Sequence, residues 1–231
     1  LKNDFNVTVA EHTSDIRDGQ NVIIRTHGVV KDELEQLKTR DLNIIDATCP
    51  FVTKPQKIVE DMSQQGYQII IFGDQDHPEV RGVKSYSQSE PVTILDESEL
   101  QNIKLKHKVA LVSQTTRKIE NFIKIAEYLI KNSSEVRIFN TICNATFDNQ
   151  ESARELSMEA DVMIIVGGKN SSNTKQLLKI SLENCKDSYL IEDDSEIETL
   201  WFENKKLCGI TAGASTPEWI IQNVIKKIQN I

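Results

Sequence analysis

The sequence has few cysteines, no long apolar run and no excess of positive charge, and each absence excludes a class of protein. Four cysteines in 231 residues, with no secretory signal at the start, argue against a disulfide framework. The formal net charge of -8 argues against a nucleic-acid binder, because that affinity depends on clustered lysine and arginine. Since no run of about 18 apolar residues occurs, we expect a cytoplasmic protein, or a plastid-type organelle-matrix protein if the source is eukaryotic.

Short β-branched runs alternate with amphipathic stretches, a pattern typical of parallel sheets covered by helices. The hydrophobic share of 39% is sufficient for a buried core. The pattern predicts strands at 22–25, 43–46, 68–72, 109–112, 136–139, 162–166, 188–191 and 207–211. It predicts helices at 32–39, 54–65, 119–131, 151–159, 173–184 and 217–229.

The segments around Cys49 and Cys143 have the same layout. In IIDATCPFVTK and FNTICNATFDN, a cysteine follows a strand and precedes a helix. Cys49 lies 24 positions before Gly73, and Cys143 lies 24 positions before Gly167. Each glycine ends a strand and leads into a polar loop, an acidic segment, another strand and a hydroxyl-rich loop. We interpret this as an internal repeat, although βα units resemble one another and short spacings also coincide by chance.

The first 28 residues resemble the second half of a third copy. AEHTSDI matches the acidic segment, and VIIRTHG matches the strand and its loop. The alignment places a third equivalent cysteine about 35 residues before Leu1. We therefore predict an α/β fold of three modules with small, mostly parallel sheets, the first module being incomplete. The expected divisions are 1–47 (partial first module), 48–141 (second), 142–211 (third) and 212–231 (a segment returning to the first module).

Loops that follow parallel strands gather at one edge of a sheet, where ligands normally bind. The reactive or polar side chains predicted in such loops are His27, Cys49, His77, Thr115, Cys143, Ser171 and Ser215. Cys185, expected within a helix, and Cys208, expected within a strand, do not match the repeated cysteine position. We interpret both as core residues, as is usual for an isolated cysteine.

Several short motifs, in order along nearly the whole chain, resemble those of the 4-hydroxy-3-methylbut-2-enyl diphosphate reductase family. They are RTHGV, DATCPFVTK, HPEVRG, SQTT, NTICNAT, VGGKNSSNT and GITAGASTPEW. The resemblance implies three modules around a pseudo-threefold axis, with one cysteine of each module binding a central 4Fe-4S cluster. Cys49 and Cys143 would be two of these ligands. The third is expected upstream of Leu1, so the 231-residue chain is expected to lack a complete ligand set.

The resemblance also implies an activity, the reductive dehydroxylation of 4-hydroxy-3-methylbut-2-enyl diphosphate to isopentenyl and dimethylallyl diphosphates. This is the last step of the non-mevalonate isoprenoid pathway. A ferredoxin or flavodoxin-like electron donor is expected, because the sequence has no nicotinamide-binding fingerprint. One alternative is a non-enzymatic diphosphate-binding fragment or decayed paralogue. Another is a zinc or redox-sensing site formed by the cysteines of a generic α/β protein.

Residue roles follow from the matched motifs. The side chains assigned to substrate binding are His27, His77, Thr115, Ser171, Ser172, Asn173 and Ser215. Glu79 is assigned to proton delivery, with Thr115 as its hydroxyl partner. Simpler roles remain open: Ser172 or Asn173 would cap the following helix, and Glu79 would merely begin a helix, where negative charge is favoured.

Overall fold

The computed structural model describes residues 7–10 and 12–231, in which strands and helices alternate. Glu11, part of the AEHTSDI segment, lies outside the described residues. The strands are β1 (Asn21–Ile24), β2 (Asn43–Asp46), β3 (Gln68–Phe72), β4 (Val92–Ile94), β5 (Lys108–Ser113), β6 (Glu135–Ile138), β7 (Val162–Val166), β8 (Ser188–Ile191) and β9 (Cys208–Ala212). The helices are α1 (Lys31–Lys38), α2 (Pro50–Gln64), α3 (Pro78–Lys84), α4 (Ile119–Asn132), α5 (Asn144–Glu159), α6 (Ser172–Asn184) and α7 (Glu218–Gln229).

The strands of the described residues pair in parallel throughout, which confirms the predicted α/β class with small parallel sheets. β1 pairs with β2, a four-stranded sheet has the order β4-β3-β5-β6, and a three-stranded sheet has the order β8-β7-β9. In both larger sheets, the first strand after the cysteine lies between the next two strands of the chain. The two cysteine-containing segments therefore share a strand order as well as a sequence spacing.

The chain divides into two compact units. The first contains the described residues up to Gln114 together with Glu120–Thr141, and it holds the two-stranded and four-stranded sheets. The second contains Thr115–Ile119 and Ile142–Ile231, and it holds the three-stranded sheet. The division into modules at 47, 141 and 211 stays a prediction.

The central strand of each larger sheet is an almost continuous apolar run, as expected for a parallel strand covered on both faces. Ile69 and Ile71 of β3 pack in one cluster with Val59 of α2. In β7, Ile164 packs in a cluster with Val224 of α7, whereas its neighbour Ile165 packs in a cluster with Leu177 of α6. Successive side chains of a strand point to opposite faces, so β7 joins two apolar layers of the second unit.

The structure corrects several predicted boundaries. α2 begins at Pro50 and α5 at Asn144, earlier than predicted, because each helix starts directly after its cysteine. α3 and β4 were not predicted at all. α3 is short and contains Gly82, a poor helix former, and β4 has only three residues. Cys185 is not within a helix as expected, since it directly follows the last residue of α6.

None of the helices found in the described part of the chain combines the length and the apolar character that a membrane crossing needs.

The buried face of α6 can be tested by paired truncations. Leu177→Ala is expected to lower the free energy of unfolding by about 2–5 kcal/mol, because Leu177 is 0% exposed. Leu182→Ala in the same helix is the control, because Leu182 is 45% exposed, and we expect a loss below about 1 kcal/mol. Urea denaturation measures both values, and equal losses would show that the buried face has been assigned wrongly.

Candidate functional site

Cys49 and Cys143 occupy equivalent positions at helix starts. Cys49 is the N-cap of α2 and Cys143 is the N-cap of α5, both with an extended backbone. The Cys49 N–H donates to the Thr26 carbonyl at 3.0 Å, and the Cys143 N–H donates to the Thr115 carbonyl at 2.9 Å. Each cysteine is thereby tied to a loop that follows a strand. This confirms the predicted placement of both cysteines between a strand and a helix.

The surroundings of these two cysteines fit a metal-ligating role. Both are half-buried free thiols at helix starts, and a cysteine binds metal as the thiolate. Thiolates are the usual ligands of iron-sulfur clusters. Cys49 belongs to the first unit and Cys143 to the second. Within residues 7–10 and 12–231, no group of three or more His, Cys, Asp or Glu side chains is placed to hold one metal ion.

His27 and His77 lie against each other in the first unit. Their ring centroids are 5.2 Å apart and the ring planes are at 82°, an edge-to-face contact. His77 is the N-cap of α3, and its Nδ1 accepts the Glu79 N–H at 3.2 Å. A neutral His77 ring therefore carries its proton on Nε2, which can donate to an anion. Burial, and secondly the charge of Arg25, hold the pKa of His27 below its usual value of 6.5.

Glu79 lies in the first turn of α3 and is only 1% exposed. The simpler expectation, that Glu79 begins a helix, is confirmed. An exposed glutamate would serve that role equally well, because the helix dipole acts on surface charges too. Ionisable side chains buried so completely are uncommon, and those with such surroundings are enriched at functional sites. Its burial next to His77 favours the assigned role in proton transfer, which stays a prediction.

Gly167 sets the path of the loop between β7 and α6. Its φ is +151°, a conformation that favours glycine. A Cβ atom there would lie 2.9 Å from the hydroxyl oxygens of both Thr174 and Thr216. Any residue with a Cβ atom would clash with these two hydroxyls, so the backbone can pass this close only at a glycine.

Ser171 is the N-cap of α6, in place of the predicted Ser172 or Asn173. Its Oγ accepts the Thr174 N–H at 3.3 Å, and its own N–H donates to the Gly168 carbonyl at 2.9 Å. The cap comes one residue earlier than expected because the turn after β7 is closed at Gly168. Ser172 and Asn173 consequently occupy the first turn of the helix.

Asn173 is enclosed and unpaired. It is 8% exposed, and neither its amide nitrogen nor its amide oxygen has a hydrogen-bond partner among the described residues. Leaving such a group unpaired is costly, and native proteins rarely do so without a ligand or an ordered water. Turning this amide toward a ligand would break no hydrogen bond. Asn173 is therefore the strongest indication of a ligand site in the second unit.

Thr116 is a candidate site residue that the sequence analysis missed. Its Oγ1 lies 3.1 Å from the Ser172 Oγ, and its carbonyl accepts the Gln150 amide at 3.3 Å. Both threonines of SQTT are candidates by composition, and only the fold shows that Thr116 meets the helix start. Thr115 is 7% exposed. Ser215 is exposed in the loop between β9 and α7.

The other two cysteines have the character of core residues. Burial, and secondly the charge of Cys185, raise the pKa of the Cys208 thiol to about 11. Cys208 is therefore protonated at neutral pH and is a poor metal ligand. Cys185 is 5% exposed and packs in the cluster that contains Leu177.

The lowered pKa of His27 predicts a measurable titration. Protonation costs more in the folded chain than in the unfolded chain, so stability should decrease as the pH falls below 6.5. By NMR, the His27 ring should titrate with a midpoint below 6.5. Arg25→Gln should raise that midpoint only partly, because burial is the larger cause. Arg17→Gln removes an exposed charge elsewhere as a control, and a midpoint at or above 6.5 in the unaltered chain would contradict the burial.

Comparison with known proteins identifies the family to which the chain is similar. Residues 2–229 match the LytB protein family. The chain is 66% identical over 229 residues to the 4-hydroxy-3-methylbut-2-enyl diphosphate reductase of Wolinella succinogenes, covering 99% of this chain and 83% of that protein. It is 63% identical to the Campylobacter fetus protein of the same name, covering 100% of this chain and 83% of that protein.

Solved structures agree with the sequence relatives. A structure of (E)-4-hydroxy-3-methyl-but-2-enyl diphosphate reductase, the terminal enzyme of the non-mevalonate pathway, is 39% identical, with a TM-score of 0.65 and coverage of 94% of this chain and 78% of that chain. A reductase structure from Plasmodium falciparum is 26% identical, with a TM-score of 0.87 and coverage of 94% and 70%. The chain therefore belongs to the LytB family, the 4-hydroxy-3-methylbut-2-enyl diphosphate reductases.

Proposed function

We propose that the chain carries out the reductive dehydroxylation of 4-hydroxy-3-methylbut-2-enyl diphosphate, yielding isopentenyl and dimethylallyl diphosphates. The carbon–oxygen bond of the allylic alcohol breaks, and the oxygen leaves as water. One carbon–hydrogen bond forms. Two electrons and two protons are consumed, and a ferredoxin or flavodoxin-like protein supplies the electrons.

The unpaired amide of Asn173 is the observation that carries the substrate class. A diphosphate is well bound by helix amino-termini, amides and hydroxyls, without a large basic surface. The first turn of the 13-residue helix α6 offers these groups together. We assign diphosphate binding in the second unit to Ser171, Ser172, Asn173 and Ser215, while Thr115 is assigned to substrate binding and to the proton relay of Glu79. In the first unit, diphosphate binding is assigned to His27 and His77.

Cys49 and Cys143 would each give one thiolate to a 4Fe-4S cluster. When bound, the cluster supplies the electrons and a Lewis-acidic iron. The chain's own contribution at these positions is to hold the two sulfur atoms at helix starts through the backbone bonds to Thr26 and Thr115.

In the first unit, Glu79 is assigned to proton delivery and His77 to diphosphate binding. The Glu79 carboxyl is shielded from water, which suits a group that delivers a proton to a leaving hydroxyl. Because His77 Nδ1 accepts the Glu79 N–H, the neutral His77 ring carries its proton on Nε2, from which it can donate to the diphosphate. Since the lowered pKa of His27 keeps that ring neutral near pH 7, diphosphate binding there depends on N–H donation rather than on imidazolium charge.

The proposal is tested by anaerobic reconstitution with iron and sulfide, followed by addition of the substrate and reduced ferredoxin. The family resemblance assigns only two cysteines of this chain to the cluster, so the reconstitution includes excess 2-mercaptoethanol as a third thiolate. We expect both diphosphate products by mass spectrometry. Tight binding of the substrate without iron and without turnover would instead favour the non-enzymatic diphosphate-binding fragment. Zinc in the purified chain and no brown colour would favour the zinc alternative.

Replacement of Glu79 separates proton delivery from binding. Glu79→Gln keeps the shape of the side chain and removes its proton, so product formation should fall about 100-fold or more, while the substrate dissociation constant stays within about threefold. Glu90→Gln is the matched control, because that side chain is 84% exposed beyond the end of the same helix. Rates and calorimetric affinities are compared for both variants. A Glu79→Gln protein that keeps more than half of the activity would disprove the assignment.

A further inference from the structure

We propose that Glu192 and Glu196 position the diphosphate-binding loop by holding Lys169 at two points. This inference rests on the proposed function, because it concerns the same loop. Lys169 lies in the turn after β7, Glu192 directly follows β8, and Glu196 ends a short 3₁₀ turn, Asp194–Glu196. All three belong to the second unit.

The contacts form a closed set. Glu192 Oε1 accepts the backbone N–H of Lys169 at 2.8 Å. Glu196 Oε2 binds the Lys169 ammonium at 2.5 Å, and Glu196 Oε1 accepts the Glu192 N–H at 3.3 Å. The Glu192 carboxylate therefore holds the backbone of Lys169, and the Glu196 carboxylate holds both the Lys169 ammonium and the backbone of Glu192. We call these three residues the Lys169 clamp.

The Lys169 clamp acts on the residues that begin α6. Gly168 and Ser171 close the turn, because the Ser171 N–H donates to the Gly168 carbonyl at 2.9 Å. Lys169 lies inside that turn, two positions before Ser171. Fixing the Lys169 N–H therefore fixes the direction in which the chain enters α6, and with it the place of Ser171 and Asn173.

Glu192 and Glu196 cannot lie beside this loop in order to attract the diphosphate, because all of these groups are negatively charged. Glu196, Glu192 and Asp193 lie near enough to raise the pKa of Lys169, with the Glu196 contact as the largest cause. Negative charges beside a diphosphate repel it, and the pairing with Glu196 engages the ammonium of Lys169. A positioning role accounts for their presence despite this repulsion.

In the other repeat, the bond from the second glutamate to the N–H four residues earlier is also present, so only the two contacts to Lys169 are specific to this loop. Glu99, which corresponds to Glu196, accepts the N–H groups of Leu95 and Asp96 within its own turn. The loop after β3 is held by a neutral amide instead, since Gln114 Oε1 accepts the Asp74 N–H at 3.0 Å. Glu99 offers a control in the other repeat, because its carboxylate accepts backbone N–H groups within its own turn, although it is the counterpart of Glu196 rather than of Glu192.

The test uses the whole 231-residue chain and inorganic pyrophosphate as the probe. Calorimetry measures the dissociation constant for the unaltered chain and for Glu192→Ala, Glu192→Gln and Glu99→Ala. Hydrogen exchange of the Lys169 N–H, followed by NMR, reports the clamp without any ligand. Urea denaturation confirms that each variant is folded.

Positioning and simple repulsion predict opposite changes in pyrophosphate affinity when Glu192 is replaced. If Glu192 positions the loop, Glu192→Ala weakens pyrophosphate binding about tenfold or more, and Lys169 exchange becomes at least about tenfold faster. Glu192→Gln, which keeps an acceptor oxygen, should be intermediate, and Glu99→Ala should bind like the unaltered chain. If Glu192 only repels the anion, both Glu192 variants bind pyrophosphate more tightly.

Unchanged or tighter binding by Glu192→Ala, or unchanged Lys169 exchange, would overturn the inference while leaving the proposed function intact. The proposed function fails separately, in a different sample, if the unaltered chain does not bind pyrophosphate. That result would also remove the positioning role.

Discussion

One backbone hydrogen bond, made twice, connects the architecture of this chain to its chemistry. In each case a cysteine N–H donates to the carbonyl of a threonine just past a strand, Thr26 for Cys49 and Thr115 for Cys143. The bond fixes the cysteine as the first residue outside a helix. Its sulfur is therefore presented at the end of the helix where negative charge is stabilised. The strand, the loop and the helix are each of a common kind, and the placement of the cysteine sulfur results from the way in which the three are joined.

The remaining features depend on the same strand-loop-helix geometry. His27 follows β1 of the two-stranded sheet and His77 follows β3 of the four-stranded sheet, so packing within the first unit, not a shared sheet edge, brings their rings together. In the second unit, Thr116, which lies between β5 and α4, contacts Ser172 in the first turn of α6. Glycine is needed where such a loop passes close to neighbouring hydroxyls, as at Gly167.

The sequence was sufficient to predict the features that follow from local pattern. The apolar runs of β3 and β7, and the placement of Cys49 and Cys143 before helices, were all predicted correctly. What could not be predicted depends on tertiary contacts or on weak local preference. α3 contains Gly82, and its one nearly buried carboxyl, Glu79, is enclosed only because the helix packs into the first unit. Asn173 is unpaired because its neighbours in the fold place no hydrogen-bond donor or acceptor within reach of its amide, and a sequence motif does not show this. The links of Glu192 to Lys169 likewise join strand ends that only the sheet order brings together.

The enclosed amide of Asn173 also has a bearing on how this protein could change over evolutionary time. An unsatisfied buried amide costs about 1–3 kcal/mol relative to a satisfied or apolar group. Selection for robustness alone would therefore replace it by an apolar residue of similar volume, such as leucine. Its presence marks a place where the folded chain is less stable than its own packing would permit, as is found where function opposes stability. Apolar substitutions at this position should therefore raise thermostability while they weaken ligand binding.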